Sequence, residues 1–460
     1  MGVDVRGITA DSRAVQPGFM FAALPGARSD GRQFIGDAVA RGAVAVLAPE
    51  GTLWPPGVPP RPLLIDPAPR MRLAKIAAEL AGRMPEKLVA VTGTNGKTST
   101  VDFLRQILSL SGREAASLGT LGVVAKGVDP ADSLTTPDPV TLANTLSMLA
   151  AKGVTHAALE ASSHGIEQSR LDGLKFAAAG MTNLSRDHLD YHGSIGAYRA
   201  AKLRLFDKLL PAGAPAVVMA DMDKETLHSL RGIAVRRGLD LRLVGVAGVQ
   251  TLPAGQEVEV NISGSRQRVL LNLPGRFQAD NALLAAALAE SVGVRDALHL
   301  VPKLIGVRGR LECAAVLSNG AAAYVDYAHS PDAIARVLMA LRPHAAGKLV
   351  IVFGAGGDRD RGKRPLMGAA AARLADVVIV TDDNPRSEAP AEIRGEILSA
   401  CPAAIEIGDR RAAIAAGLEM LGPNDVLVVA GKGHEQGQII GKEIVPFDDV
   451  AVIRSLSGLG

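Results

Sequence analysis

Aromatic side chains are scarce, at 3% of 460 residues with a single Trp. That is too few for a surface that stacks bases or sugars. Cysteine is scarcer still: Cys313 and Cys401 build no disulfide framework and stand in no metal-spaced pair, which fits a reducing compartment. No stretch approaches the length of an apolar, charge-free spanning helix. The opening MGVDVRGITADSR has no basic region leading into an apolar run, so no secretory signal is expected. Charge of one sign is missing too. The 50 basic and 47 acidic side chains leave a formal +3, which gives no reason to expect a nucleic-acid footprint. What is abundant is apolar residues, at 48%, and glycine, with 50. A soluble cytoplasmic protein of several domains is expected.

Short apolar strands such as GAVAVLA (42–48) and PLLI (62–65), with a helix-like PAPRMRLAKIAAELAG, make a first unit over residues 1–85. A second unit, 86–308, alternates strand-like and helical segments: THAALEAS, KFAAAGMTNL and APAVVMA read as strands of a mostly parallel sheet. Within it, LRLVGVAG (241–248) and the alternating VEVNISGSRQRVLLNL read as antiparallel edge strands, and NALLAAALAESVG (281–293) as a closing helix. The third unit, 309–460, repeats an apolar strand ending in a Gly- or Asp-rich turn. Ligands of doubly wound sheets bind outside such strand ends. The fold class expected is α/β in three domains: a central phosphate-loop sheet with a small antiparallel extension, and a Rossmann-like C-terminal domain.

VAVTGTNGKTST (89–100) reads as a buried strand that Gly93 breaks, then a tight turn, Thr94-Asn95-Gly96-Lys97-Thr98-Ser99, opening a helix. Successive N–H groups in such a turn surround a phosphate, and the helix N-terminus adds its positive end. Lys97 supplies a mobile cation and Thr98 a hydroxyl for magnesium. Only the end of the usual GxxxxGK[ST] pattern is present, because Val91 stands where its first glycine belongs.

Glu160 ends an apolar strand in ALEASSHG, a placement that suits magnesium beside that loop. TNLSRDHLDYHG crowds Arg186, Asp187, His188, Asp190 and His192 after a strand, with a histidine spacing wrong for zinc. Lys202, in YRAAKLRLF, reads by pattern alone as a surface lysine, no different from Lys208. In DYAHSPD, Asp326 stands at a strand end and Pro331 near the start of a helix. GAGGDRDRGKRP interleaves Asp358 and Asp360 with Arg359, Arg361, Lys363 and Arg364, a density that suits anionic groups. DDNPR adds Arg386, whose fork can hold a carboxylate in two bonds. GKGHEQ offers Gly431 and an ammonium acceptor, Glu435. An arginine with a glutamate reads a zwitterionic head such as an amino acid's. The inventory fits ATP, magnesium and two anionic partners, and a kinase shares it with an ATP-driven ligase.

VTGTNGKTS, TTPDP, EASSHG, NLSRDHLDYHG, DYAHSPD, FGAGGDRDRGKRP, DNPR and GKGHE occur here in the order found in the Mur ligases of bacterial cell-wall synthesis. Over nearly its whole length the chain resembles that family, most of all the branch that adds the third residue to UDP-N-acetylmuramoyl-L-alanyl-D-glutamate. The resemblance implies a UDP-sugar recognition domain, a central ATP-binding domain and an amino-acid-binding third domain. It implies that Ser12 and Arg13 belong to the uridine-nucleotide pocket. Thr135, Thr136, Pro137, Asp138, Ser162, Gln168 and Arg170 would line the dipeptide-bearing substrate. Besides the loop Gly93–Ser99, it assigns Lys97, Thr98, Glu160 and His188 to phosphate and magnesium, and Asn281, Arg310 and Asp326 to adenosine and its phosphates. Lys202 matches the lysine that the family carbamylates, against the reading from pattern; the carbamate would join Thr98, Glu160 and His188 at the metal.

By the same resemblance Arg359, Asp383, Asn384, Pro385, Arg386, Gly431 and Glu435 fall on the amino-acid pocket. Arg386 would hold the distal carboxylate of meso-diaminopimelate, which L-lysine lacks. Gln278 departs from the family's usual asparagine, with slightly altered adenine contacts expected. The implied reaction passes the γ-phosphoryl group of ATP to the D-glutamate side chain, and the amine then attacks the acyl phosphate. Domain closure would bring amino acid and phosphate together. The expected partners are small molecules alone, with no nucleic acid or membrane insertion, and the expected state is a monomer. Rivals are the ligase that adds D-alanyl-D-alanine, folylpolyglutamate synthase, and a nucleotide-gated binding protein that has lost ligation.

Overall fold

A computed structural model describes residues 4–26, 29–128, 134–185, 187, 189–252, 255–262 and 265–458. No helix among these residues is long and apolar enough to cross a membrane. The chain divides into two compact units. One holds the residues up to Val244 with Leu284–Ala297, the other Gly245–Leu283 with the residues from Leu298 onward.

The first unit opens with four parallel strands in sequence order, β1 (Gly7–Thr9), β2 (Phe19–Ala22), β3 (Ala45–Ala48) and β4 (Leu63–Ile65). The helix Pro69–Ala81 starts on a proline, whose missing N–H costs nothing at that position. Its Leu73 and Ala77 pack with Ile8, Met20 and Leu47 on one face of the sheet, and Ala143 joins them from the helix Pro139–Ala151.

The larger sheet of this unit uses β5 (Lys87–Thr92), β6 (Ala115–Gly119), β7 (Gly122–Ala125), β8 (His156–Glu160), β9 (Phe176–Met181), β10 (Pro215–Met219) and the start of β11 (Asp240–Leu252). Their order is β11-β10-β9-β5-β8-β6-β7. All neighbours run parallel except β6 and β7. Covered on both faces, these strands read as unbroken apolar runs rather than alternating ones. One expectation is overturned. Residues 241–248 were expected to form an antiparallel edge, but β11 pairs parallel with β10, Ala216 opposite Leu241. The helix Lys224–Arg237 between them is a crossover, and a crossover returns the chain in the same direction.

In the second unit, β12 (Gly255–Ile262) and β13 (Ser265–Leu271) pair antiparallel, as their alternation predicts. The helix expected at 281–293 runs from Arg276 to Ser291, and its residues from Leu284 onward belong to the first unit. A six-stranded sheet takes β14 (Glu312–Val316), β15 (Ala322–Asp326), β16 (Leu349–Phe353), β17 (Val377–Val380), β18 (Ile405–Glu406) and β19 (Val426–Ala430), in the order β14-β15-β19-β16-β17-β18, and β20 (Gly437–Ile440) pairs with β21 (Glu443–Pro446) in a separate hairpin. Only β14 runs antiparallel in the six-stranded sheet. This is the Rossmann-like sheet expected. Asp326, Ala430 and Phe353 stand level, and Phe353 is level with Val380. The carboxyl ends of β15, β19, β16 and β17 therefore open side by side.

Candidate active site

In the first unit the chemistry starts where β5 ends. Gly93 has φ 142° and Gly96 φ 84°, conformations that L side chains rarely adopt. A Cβ on Gly93 would lie 1.9 Å from the hydroxyl oxygen of Thr182. The helix Lys97–Leu110 follows directly. The turn is pinned by the segment after β9. Asn183 accepts from the N–H of Asn95 at 3.0 Å through its side chain and from that of Thr94 at 3.0 Å through its carbonyl. Thr182 Oγ1 donates to the Asn95 carbonyl at 2.6 Å. Lys97 Nζ folds back on the carbonyls of Gly93 and Thr94, at 2.9 and 2.8 Å.

Glu160 closes β8 opposite Val91 of the phosphate-loop strand and is 2% exposed. Its Oε1 accepts from the N–H of Thr120 at 2.8 Å, and the Thr120 hydroxyl lies 3.4 Å from Oε2. Gly119 must be glycine here, since a Cβ would approach Glu160 Oε1 to 2.1 Å.

Lys202 is not a surface residue. It is 1% exposed, its Nζ donates to the Gly93 carbonyl at 2.7 Å, and it lies 4.4 Å from the Tyr198 ring centroid. Burial, reinforced by the Lys97 cation and opposed by Asp187, pulls its ammonium down from the usual lysine range to about 6. Tyr198 donates to Thr94 Oγ1 at 3.2 Å, and burial pushes its phenol up to about 12. A helix-face pattern cannot show this, because the groups that bury Lys202 come from the loop after β5.

A cavity of about 610 Å³ in the same unit is walled by Thr9, Asp11, Ala14 and Phe19 from the first sheet and by Asp138, Gln168 and Arg170. Arg170 donates to the Thr136 carbonyl at 2.5 Å and to Gln168 Oε1 at 2.7 Å. Thr136 in turn donates to the Glu160 carbonyl at 2.8 Å and lies 3.0 Å from Ser162 Oγ. Thr135 Oγ1 is 3.1 Å from Thr120 Oγ1. Asp138 caps the helix that starts at Pro139 and so faces the cavity from its rim. Polar groups thus run continuously from the cavity to the acid at the end of β8. Ser12 and Arg13 form a short turn beside the wall, where Arg13 is paired with Asp11 at 2.8 Å.

In the second unit, Asp326 ends β15 as a buried carboxylate that accepts from the N–H groups of Leu311 and Ala328, both at 2.8 Å. Burial raises its pKa, against the pull of Arg310 and of those two bonds. The Arg310 guanidinium lies 5.0 Å from the Tyr327 ring. Gln278 and Asn281 are buried on one helix, and Gln278 donates to the Arg310 carbonyl at 3.0 Å.

The amino-acid motifs meet at the ends of β17 and β19. Asn384 Nδ2 donates to Glu435 Oε2 at 2.8 Å, and Lys432 reaches both, Asn384 Oδ1 at 3.1 Å and Glu435 Oε2 at 3.2 Å. Asp383 is buried, which raises its pKa against Arg410 and Lys432. Gly431, at φ 114°, has no room for a Cβ, which would lie 2.4 Å from Asp383 Oδ2. Arg386 adopts φ 52° and donates through one nitrogen to the Gly357 carbonyl at 2.8 Å. Its other guanidinium nitrogens bond to no described residue, its backbone N–H donates to the Ile439 carbonyl at 3.0 Å, and the buried Pro385 precedes it.

Three family models match this chain: a Mur ligase catalytic domain over residues 4–62, a Mur ligase middle domain over 91–289 and a Mur glutamate ligase domain over 309–433. The chain belongs to the Mur ligase family. Among the members it is similar to is the UDP-N-acetylmuramoyl-L-alanyl-D-glutamate--2,6-diaminopimelate ligase of Caulobacter vibrioides, 53% identical over 99% of this chain and 96% of that one. The enzyme of the same name from Rhizobium meliloti is 51% identical over 99% and 95%. A solved structure of a ligase with that name superposes with a TM-score of 0.74 at 35% identity, over 99% of this chain and 95% of that one.

Within this Mur ligase the sequence motifs do not all become surface for ligands. The charged loop after β16 is largely spent on itself. Arg364 is fully buried and bonds Glu388 and Glu396 at 2.8 and 2.9 Å, and Arg361 bonds Glu396 at 2.9 Å. Arg364, with the N–H of Asp358, holds Glu388 down at about 2. Lys363 donates to the His329 carbonyl at 2.8 Å. Only Arg359 of the four cations is exposed and bonded to no described residue. His188, expected at the metal, lies outside the described residues, and so do Arg186 and the side chain of Asp190. Thr98 is buried at the first turn of its helix. The sequence reading missed Lys432, although it lies inside a quoted motif, because nothing local shows that it is buried. It also missed Arg410 and Asp449, which lie in no motif.

Proposed function

We propose that this chain joins meso-2,6-diaminopimelate to the D-glutamate side-chain carboxylate of UDP-N-acetylmuramoyl-L-alanyl-D-glutamate, converting ATP to ADP and phosphate. Residues 1–85 recognise the UDP-sugar, 86–308 bind ATP and 309–460 bind the amino acid. The observation that carries the reading is Arg386. Its guanidinium is anchored by one nitrogen and leaves the others for a carboxylate, and Glu435, past the end of β19 and bonded to Asn384, stands as an acceptor for an ammonium. A zwitterionic end needs both.

The phosphate loop and Lys97 hold the β- and γ-phosphates. Their N–H groups and cation stabilise charge as the γ-phosphoryl group moves to the glutamate carboxylate. The dipeptide end extends along Ser162, Thr136 and Arg170 toward Glu160. The amine displaces phosphate from the acyl phosphate, forming the amide. Asn281, Arg310 and Asp326 bind adenosine and its phosphates, and Arg359 adds a free cation for the amino acid's carboxylate.

The donors fit magnesium, which takes few protein oxygens and keeps water and phosphate ligands. Thr98 and the buried Glu160 would hold it, with His188. When bound it neutralises charge on the transferring phosphate. Lys202 is suited to carbamylation. With its ammonium held near 6, it is a neutral amine at pH 7. The amine's lone pair forms an N–C bond with carbon dioxide, one proton leaves to solvent, and the product is an anion beside Lys97. The reaction belongs in the cytoplasm, where ATP is made, and one copy of the chain supplies every group named.

The test is to supply ATP, magnesium and the UDP-linked dipeptide with either meso-diaminopimelate or L-lysine, and to follow the UDP-linked product by mass. Tripeptide with diaminopimelate and little with lysine is the expected result. Product with lysine alone would sink the reading of Arg386. ATP turnover that needs neither the dipeptide nor the amino acid would favour a protein that has lost ligation.

A further inference from the structure

Lys432 is fully buried, yet it sits on β19's carboxyl end among the groups expected to bind the incoming amino acid. Its ammonium lies 3.1 Å from Asn384 Oδ1 and 3.2 Å from Glu435 Oε2. Asn384 Oδ1 also accepts from the N–H of Ile439 at 2.9 Å, so Lys432 is not needed to fix that side chain. Glu435 Oε2 likewise keeps the Asn384 amide at 2.8 Å. Oε1 receives no hydrogen bond from a described residue, and the Glu435 side chain is 34% exposed. The acid offered to a substrate ammonium is therefore already half-neutralised by a cation that cannot move out to water.

We infer that Lys432 is a specificity-determining residue that disfavours an amino acid whose side chain ends in an ammonium alone. The inference rests on the diaminopimelate reading above. A distal end carrying both ammonium and carboxylate brings no net charge. Its ammonium takes Glu435 Oε1, and its carboxylate lies against Arg386 and near the Lys432 cation. The side chain of L-lysine brings a bare positive charge to a site that already holds Lys432 and Arg386 against the accessible Glu435, with Asp383 buried nearby and drawn by that burial toward its neutral form. Like charges brought together away from water discriminate by repulsion, the complement of an attractive contact. Arg386 selects by attracting the carboxylate; Lys432 selects by repelling what lacks one.

The test compares kcat/KM for meso-diaminopimelate and for L-lysine in the wild type and in Lys432→Met, Lys432→Gln and Lys432→Arg, at saturating ATP and UDP-linked dipeptide. In Lys432→Met and Lys432→Gln the diaminopimelate-to-lysine ratio should fall by at least about tenfold. A lower KM for lysine with little change in kcat should account for part of that fall. Lys432→Arg should keep the wild-type ratio. A purely structural lysine would lower both substrates' kcat/KM together and leave the ratio unchanged, which would overturn the inference. If Lys432→Met loses its cooperative thermal transition, Lys432→Gln decides alone, since it keeps a donor to Asn384 without the charge. Wild-type protein that ligates neither amino acid would instead overturn the diaminopimelate reading.

Discussion

The Lys202 ammonium and the Gly93 carbonyl oxygen stand 2.7 Å apart, 109 positions apart in the chain. That contact buries a lysine against the phosphate loop, beside a second lysine, Lys97. Two cations at a phosphate site are easily held when the phosphates are present and costly when they are not. Burial meets that cost by favouring loss of the proton from the one that water cannot reach.

Lys202 therefore sets a pH dependence. Its folded pKa, about 6, lies below the ordinary lysine value of 10.5. Between those values the unfolded chain binds more protons, so its contribution to stability rises with pH from about 6 to 10.5 and the penalty is complete below 6. Lys202→Met removes a penalty on the order of several kcal/mol at pH 7. In buffer free of carbon dioxide and magnesium the variant should melt higher than the wild type; with both supplied it should ligate at least about a hundredfold more slowly. Thermal melts at pH 6, 7 and 9 with single-turnover assays check both. With labelled carbon dioxide, the wild type alone should show a carbamate carbon resonance.

Glu160→Gln keeps an oxygen for the Thr120 N–H and should leave the melt nearly unchanged. Without the anion, kcat should fall by about a hundredfold or more, and half-saturation by magnesium should move upward. Titrating magnesium at fixed ATP separates the two effects. An unchanged magnesium dependence would exclude Glu160 from the metal.

Arg410 and Asp449 form a fully buried pair, with bonds of 2.8 and 2.7 Å, and Arg410 also bonds the Ala430 carbonyl at 3.0 Å. Asp449→Asn leaves the guanidinium uncompensated and should cost about 3–5 kcal/mol in denaturant unfolding. The double replacement Arg410→Met with Asp449→Leu should cost less than the single one, because neither charge is then stranded.

Arg386→Asn should raise KM for meso-diaminopimelate by an amount equivalent to about 2–5 kcal/mol and change the ATP requirement little. Asparagine is the better probe than alanine. The backbone at this position has φ 52°, and asparagine tolerates the left-handed region. Competition assays with diaminopimelate and L-lysine read the effect.

Much of the fold was legible because it is local. Apolar runs ending in Gly or Asp gave the strands, and Pro331 stands where a helix begins. The direction of β11 was not legible from its own residues. Pattern shows that a segment is extended, whereas pairing direction follows from the connection before it. Arg361 and Arg364 looked like ligands because density of charge is visible in a sequence and neutralisation by Glu388 and Glu396 is not.

The sequence by itself determined the phosphate turn, the order of the motifs and the acids and arginines at strand ends, since each depends on residues within a few positions of one another. Tertiary structure alone decided which charges are buried. Lys202, Lys432 and Arg410 look like ordinary cations in their helices and turns. Their environments are made by Gly93, Asn384 and Asp449, residues brought in by other elements. Desolvation depends on everything that surrounds a group, and that is a property of packing rather than of neighbouring letters.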